Sequence, residues 1–311
     1  MPRIILSRVA VTPVRGSILG RFYSINCAAI LCLNIAANIN FFSYSFAYQA
    51  KLRFFPPLQR NLLHSMPLLL TVHPFPNATF GLWQIAENEE FFRVDMPLST
   101  DEASDLAQHH VPLRRLEWLA SRWLLHKLTD APQRLPIAKD AFSKPFFPEN
   151  QDLACSLSHS RGCVGALIVT IPGIHNGEAS NIGAESPSPH LGRLGGAGCD
   201  IQVMTDKMNR IAYKFLNEAE YEFLDTRPEA ENLELLHLYW TAKESLYKAY
   251  GLKGLDFRKN IFVQNMQWNG QDGEALGKVV KEGFYQEFQL IFGKYTIQEA
   301  PELIWAVCHA D

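Results

Sequence analysis

The sequence has no CxxC pair and no cysteine–histidine spacing suited to zinc. Its six cysteines, Cys27, Cys32, Cys155, Cys163, Cys199 and Cys308, are scattered, as expected of reduced, buried thiols in a cytoplasmic protein. Neither sign of charge is in large excess. The formal net charge of the 311 residues is −3, which leaves no global footprint for nucleic acid. A clean apolar run of membrane-spanning length is missing too. The softest stretch, residues 25–47, is interrupted by Asn26, Asn34, Asn38 and Asn40, each of which would need a partner in hydrocarbon. Acidic residues are absent from residues 1–65, which hold seven of the 29 Lys and Arg. The remaining 246 residues therefore hold 22 basic and 32 acidic side chains, a net of −10.

That asymmetry sets residues 1–65 apart. An acid-free leader rich in Arg and Ser has the composition of a transit peptide or signal anchor, and is also what a misread start would add. The last reading is preferred: the functional chain is expected to begin at Met66, and truncation there to keep full activity. With 47% apolar residues, the chain can bury the cores of one or two domains.

From Met66 the pattern is globular. LLLTV and GLWQIA read as strands around the turn-rich HPFPNAT. Ser99 and Glu102 form a capping box opening a helix that extends to about His110. After Pro112, LRRLEWLASRWLLHKL is amphipathic, with Leu113, Leu116, Ala120, Trp123 and Leu124 on one stripe and Arg114, Arg115 and Arg122 off it. Past Lys144-Pro145, LACSLSHS reads as a strand running into a Ser-Arg-Gly turn, and CVGALIVTI as the returning strand. His159, flanked by Ser158, Ser160 and Arg161, thus sits at a strand end, where such donors suit a phosphate. Residues 172–197 are rich in Gly, Ser and Pro and read as a flexible insertion between an N-terminal half, 66–171, and a C-terminal half, 198–311.

In the second half AGCDIQVM reads as a strand with Asp200 and Gln202 on one face and Ile201 and Val203 on the other. DKMNRIAYKFL reads as a helix, and Asn217 with Glu220 forms a second capping box. Residues 229–250 lack Gly and Pro and form a long helix with Gly251 as its C-cap. IFVQN, ALGKVVK, FYQEFQLIF and LIWAVCH close the chain as antiparallel strands. Helical spacing puts Trp240, Lys243, Glu244, Tyr247 and Lys248 on adjoining turns. Charges at core-facing positions are costly unless paired or bound to a metal or ligand.

GCDIQ, then KFLNEAEYEFL, then WTAKESLYKAYG, preceded by KPFFP and SLSHS, resembles the ordered signature of the 4'-phosphopantetheinyl transferase superfamily. The order and approximate spacing agree, apart from a longer insertion between SLSHS and GCDIQ. The length is similar to that of the surfactin-synthetase-activating (Sfp-like) type. That resemblance implies an α+β fold of two similar halves in pseudo-twofold arrangement, and a monomer.

The resemblance also implies a chemistry: transfer of the 4'-phosphopantetheine arm of coenzyme A to a serine of an apo acyl or peptidyl carrier protein, with Mg²⁺, releasing adenosine 3',5'-bisphosphate. On that reading Asp200, Glu244 and Gln202 are metal ligands, and Glu244 or a water it orients is the base for the serine proton. Lys243 and Lys248 contact the pyrophosphate. His159, Ser158 and Lys144 contact coenzyme A, as do Arg115 and Arg122. Gln202 stands where the family often has Glu, and Ser143 where it commonly has Gly. The alternative is a member that binds coenzyme A or a carrier with weak or no transfer.

Overall fold

The computed structural model describes residues 68–129, 131–171, 196–297 and 301–310, all within one compact unit, His64–Asp311. The expectations for the leader lie outside the described residues. So does nearly all of the 172–197 insertion, although Ala197 already opens a strand.

The first sheet is antiparallel. It contains β1 (Leu68–Val72), β2 (Ala78–Gln84), β5 (Leu153–Ser160) and β6 (Cys163–Thr170) in the order β1-β2-β6-β5. Two short strands, β3 (Ala138–Lys139) and β4 (Pro145–Phe146), pair with each other. Three helices belong to this part: α1 (Glu89–Val94), α2 (Thr100–Ala107) and α3 (Pro112–Leu128). Helix α1 has no counterpart among the sequence expectations. Its start is fixed by Asn88, whose side chain accepts the Phe91 N–H. The Ser99–Glu102 box opens α2, which stops at Ala107, short of His110. Helix α3 begins with Pro112 in its first turn, where a missing N–H costs nothing. It lays Trp118, Leu119, Trp123 and Leu124 on the sheet, against Trp83, Val164 and Ala166.

The second sheet, also antiparallel, is built from β7 (Ala197–Val203), β8 (Ile261–Trp268), β9 (Asp272–Lys281), β10 (Phe284–Tyr295) and β11 (Leu303–His309). Its order is β7-β11-β10-β9-β8, which leaves β7 at one edge. The expected DKMNRIAYKFL helix breaks into α4 (Lys207–Ile211) and a 3₁₀ turn, Ala212–Lys214. Helix α5 (Glu218–Asp225) starts at the Asn217–Glu220 box. Helix α6 (Asn232–Tyr250) ends at Gly251, whose φ of 73° is the left-handed cap that a side chain would strain. Leu235, Leu238, Ala242, Leu246 and Ala249 bury α6 against this sheet. None of the described helices is long and apolar enough to cross a membrane.

The two sheets share a third apolar core. Phe80, Leu167 and Val169 from the first meet Ile201, Val203 and Trp305 from the second. At the rim of that core the sheets are stitched by hydroxyls. Ser156, Ser158 and Ser160, on alternate positions of β5, accept the backbone N–H groups of Cys199, Ile201 and Val203 at 3.0, 3.2 and 3.0 Å. These are the amides of β7 that face away from β11. An exposed strand edge is thereby satisfied by side chains in place of another strand. The alternating serines of SLSHS are the sequence basis of this seam.

Candidate functional site

The site forms where α6 crosses β7. A Cβ on Gly198 would lie 2.0 Å from the Ser245 carbonyl oxygen and 2.8 Å from the Ala249 nitrogen, so only glycine lets helix and strand approach this closely. Two residues further, Asp200 is nearly buried and turned to the helix side. Its Oδ1 accepts the Ser158 hydroxyl at 2.6 Å and the Lys248 ammonium at 2.8 Å. Gln202, on the same face, donates through Nε2 to its neighbour Val203 O at 3.1 Å, leaving its carbonyl oxygen available.

Glu244 is partly buried on α6, one turn before Lys248. Among the described residues no hydrogen-bond donor reaches its carboxylate. Burial, and then the charge of Asp200, push its pKa up to about 7 against the opposing pull of Lys248. Asp200 comes from the strand and Glu244 from the helix, and the charge of the first opposes ionisation of the second.

Lys248 spends all three ammonium protons on Leu157 O at 3.1 Å, Cys199 O at 3.0 Å and Asp200 Oδ1. Burial works against its charge, but Asp200 and its other neighbours outweigh that and raise its pKa. It therefore ties β5, β7 and α6 together at the seam.

Lys243 departs from expectation. Consecutive helical residues diverge by about 100°, so the Lys beside Glu244 points into the core. It is 0% exposed and is held by Glu220 at 2.7 Å and by the carbonyls of Phe215, Phe257 and Ile261. Burial lowers its pKa and Glu220 opposes the change. Glu220 in turn accepts the N–H groups of Asn217 and Val263. Lys243 is a structural cation with no free donor for a pyrophosphate.

Other expected ligand contacts are likewise engaged elsewhere. The Ser158 hydroxyl is held between Asp200 and Ile201 N–H and is buried. Lys144 donates to Ala249 O at 2.9 Å and so caps the C-terminal turn of α6; burial lowers its pKa. Arg115 forms a two-pronged pair with Glu89 and donates to Leu106 O and His109 O. Arg122 is buried beside Asp105 at 3.5 Å, with its guanidinium 3.6 Å from the Trp118 ring centroid, and burial lowers its pKa to about 10. Both arginines serve the packing of α1, α2 and α3.

The arginine that does reach the β5–β6 turn is Arg114. Its Nη1 lies 2.6 Å from His159 Nδ1 and 2.9 Å from Glu117 Oε2. The Arg114 and His159 side chains are 54% and 46% exposed, whereas Glu117 is 1% exposed. Burial and Arg114 depress the His159 pKa despite the opposing Glu117 carboxylate. Sequence reasoning set Arg114 aside and passed over Glu117. The available signal was an acid one turn from an arginine, on an otherwise apolar stripe.

Residues 196–298 match the family model of the 4'-phosphopantetheinyl transferase superfamily. The matched segment carries Asp200, Gln202, Glu220, Lys243, Glu244 and Lys248. The match supports a transferase. Lys144, Ser158, His159, Arg114 and Glu117 lie outside it. No curated protein matches the chain.

Members of such a superfamily generally use Mg²⁺. Among the described residues no group of three or more Asp, Glu, His or Cys side chains forms a cation cage. Mg²⁺ does not require one: it takes one or two carboxylates, water and substrate phosphates. A partly buried Glu244 carboxyl without a donor, beside Asp200 and the open carbonyl of Gln202, is a donor set that fits.

Proposed function

We propose that the chain transfers 4'-phosphopantetheine from coenzyme A to a serine of an apo carrier protein, in the manner of the two-half, Sfp-like enzymes, and acts as a cytoplasmic monomer. Asp200, Glu244 and Gln202 would hold Mg²⁺. When bound, the ion supplies Lewis-acid neutralisation of the pyrophosphate charge.

The chain's own residues account for the rest. The carrier serine oxygen forms a bond to the phosphorus bearing the pantetheine arm, and the bond to the adenosine-side phosphate breaks, releasing adenosine 3',5'-bisphosphate. The serine proton needs an acceptor. Glu244, a partly buried carboxylate that no donor among the described residues reaches, takes that role directly or through one water. Lys248 places a fixed positive charge beside Asp200, where charge grows on the leaving group. His159 and Arg114, exposed on the other side of the seam, bind nucleotide phosphate.

The observation that carries this reading is the Glu244 carboxyl, unsatisfied by any described donor and set against Asp200. The test is incubation with labelled coenzyme A, Mg²⁺ and a panel of apo carriers of fatty-acid, polyketide and peptide synthesis. Label should move to one carrier and be lost on chelation. No transfer to any member of the panel would overturn the proposal.

A further inference from the structure

Thr241 is wholly buried on α6, and among the described residues its hydroxyl has no hydrogen-bond partner. A hydroxyl inside a helix ordinarily turns back to a carbonyl of the preceding turn, as Ser245 does to Ala242 O at 2.7 Å. A buried donor left without an acceptor is destabilising, so one that persists calls for a reason beyond packing. None of the steps above uses it.

Its place on the helix supplies a reason. His237, Thr241, Ser245 and Lys248, spaced by four, four and three, lie on one stripe of α6. That stripe looks onto β7. The His237 ring accepts the Thr205 N–H just past the end of the strand, Gly198 lies against the backbone of Ser245 and Ala249, and Lys248 holds Asp200. Strand and helix therefore run in opposite directions. The two residues of that strand face between the anchors, Asp200 and Gln202, fall opposite Glu244 and Thr241 in turn. Gln202 spends its Nε2 on Val203 O, within its own strand, which leaves its carbonyl oxygen open. Glu244 lies one turn from Thr241 yet accepts nothing from it. A buried donor without an acceptor thus stands opposite an acceptor without a donor.

We infer that Thr241 is a positioning residue: its hydroxyl donates to the Gln202 carbonyl oxygen and orients it as a ligand for Mg²⁺. The inference rests on the metal seat of the proposed function and adds to it the group that steadies its one uncharged member. An amide oxygen has two lone pairs, so it can accept a hydroxyl and bind a cation together. Losing an outer hydrogen bond of this kind typically costs about 10- to 100-fold in metal affinity.

The test is titration of the full chain with Mn²⁺, a paramagnetic stand-in of the same charge and oxygen preference. Coenzyme A is present, and loss of the free-ion signal is followed by electron paramagnetic resonance, beside thermal melts in EDTA. Thr241→Val keeps the shape and removes the hydroxyl. It should weaken Mn²⁺ binding about tenfold or more. In EDTA it should melt no lower than the wild type, because no hydrogen bond is lost. Thr241→Ser keeps the donor and should restore most of the lost binding. Gln202→Ala should weaken binding by itself, and adding Thr241→Val to it should cost nothing more.

Unchanged Mn²⁺ binding in Thr241→Val, an equal further loss in the Gln202→Ala background, or a lower melt in EDTA that Thr241→Ser reverses would overturn the inference. A wild type that takes up no Mn²⁺ would overturn it together with the metal seat. The transfer assay on the same preparations answers the separate question of the reaction. Mn²⁺ binding with the expected pattern, but no carrier modified, would sink the proposed function and leave Thr241 in place.

Discussion

Lys243 and Glu220 meet 2.7 Å apart in the core beneath α6, both nearly or wholly without solvent contact. The pair joins the long helix to the capping box of α5 and, through the carbonyls of Phe257 and Ile261, to the approach of β8. Breaking such a pair leaves a buried charge without compensation. Lys243→Met should therefore lose about 3–5 kcal/mol of stability, measured by urea unfolding. Replacing both partners, as Lys243→Met with Glu220→Gln, should recover part of that loss. A Lys243→Met protein of unchanged stability that fails only in turnover would return Lys243 to the reacting phosphates.

Asp200 and Glu244 should behave differently. Asp200→Asn and Glu244→Gln preserve shape while removing charge, and each should lower the rate of carrier modification on the order of 100-fold or more. Chelation should do the same to the wild type, with recovery on adding Mg²⁺. Gln202→Glu should shift the metal optimum without ending turnover. Near-normal rates in either carboxylate variant would remove the proposed metal seat.

The contact between α6 and β7 leaves no room for a methyl group. Gly198→Ala should prevent soluble expression or cost several kcal/mol, on the order of an overpacked core, because the obstacle is backbone: Ser245 O at 2.0 Å from the added carbon. A thermal melt matching that of the wild type would contradict this packing.

The hydroxyl seam predicts a graded series. Ser156→Ala or Ser160→Ala strands one buried amide and should cost about 1–3 kcal/mol. Ser158→Ala should add a loss of turnover, because Asp200 also loses a hydrogen bond. Equal turnover in all three variants would separate Ser158 from Asp200 function.

His237 supplies a pH dependence. It is fully buried, its Nε2 accepts the Thr205 N–H at 2.9 Å, which requires the neutral ring, and its Nδ1 faces Leu233 O at 2.7 Å. Burial depresses its pKa below the ordinary 6.5. The unfolded chain therefore binds a proton at a pH where the folded chain does not. The stability from this residue is complete above pH 6.5 and is lost as pH falls toward the folded value. Urea midpoints at pH 7.5 and 5.5 should differ less in His237→Gln than in the wild type.

Much of the fold was legible where local chemistry decides the outcome. Asn217 with Glu220 and Ser99 with Glu102 are capping boxes in the chain and in space. Gly251 ends α6, and the strand alternation around Asp200 places it and Gln202 opposite Ile201 and Val203. What stayed hidden was set by tertiary partners. Lys243 and Glu244 are neighbours in sequence, and no local rule says which one turns inward; Glu220 and three carbonyls decide it. Arg114, Arg115 and Arg122 look alike on a helical wheel. Only the positions of Glu89, Asp105 and Glu117 distribute them. Ser158 reads as a ligand contact until the bare amides of β7 supply it with a closer task.

The hydroxyl seam gives β7 an unusual standing. Although no strand lies beyond it among the described residues, the amide protons of Cys199, Ile201 and Val203 are shielded by three serines and should exchange with deuterium as slowly as those of a central strand. Because the substitute partners are side chains, they satisfy only donors in one register, so another copy of the chain finds no matching row on which to polymerise.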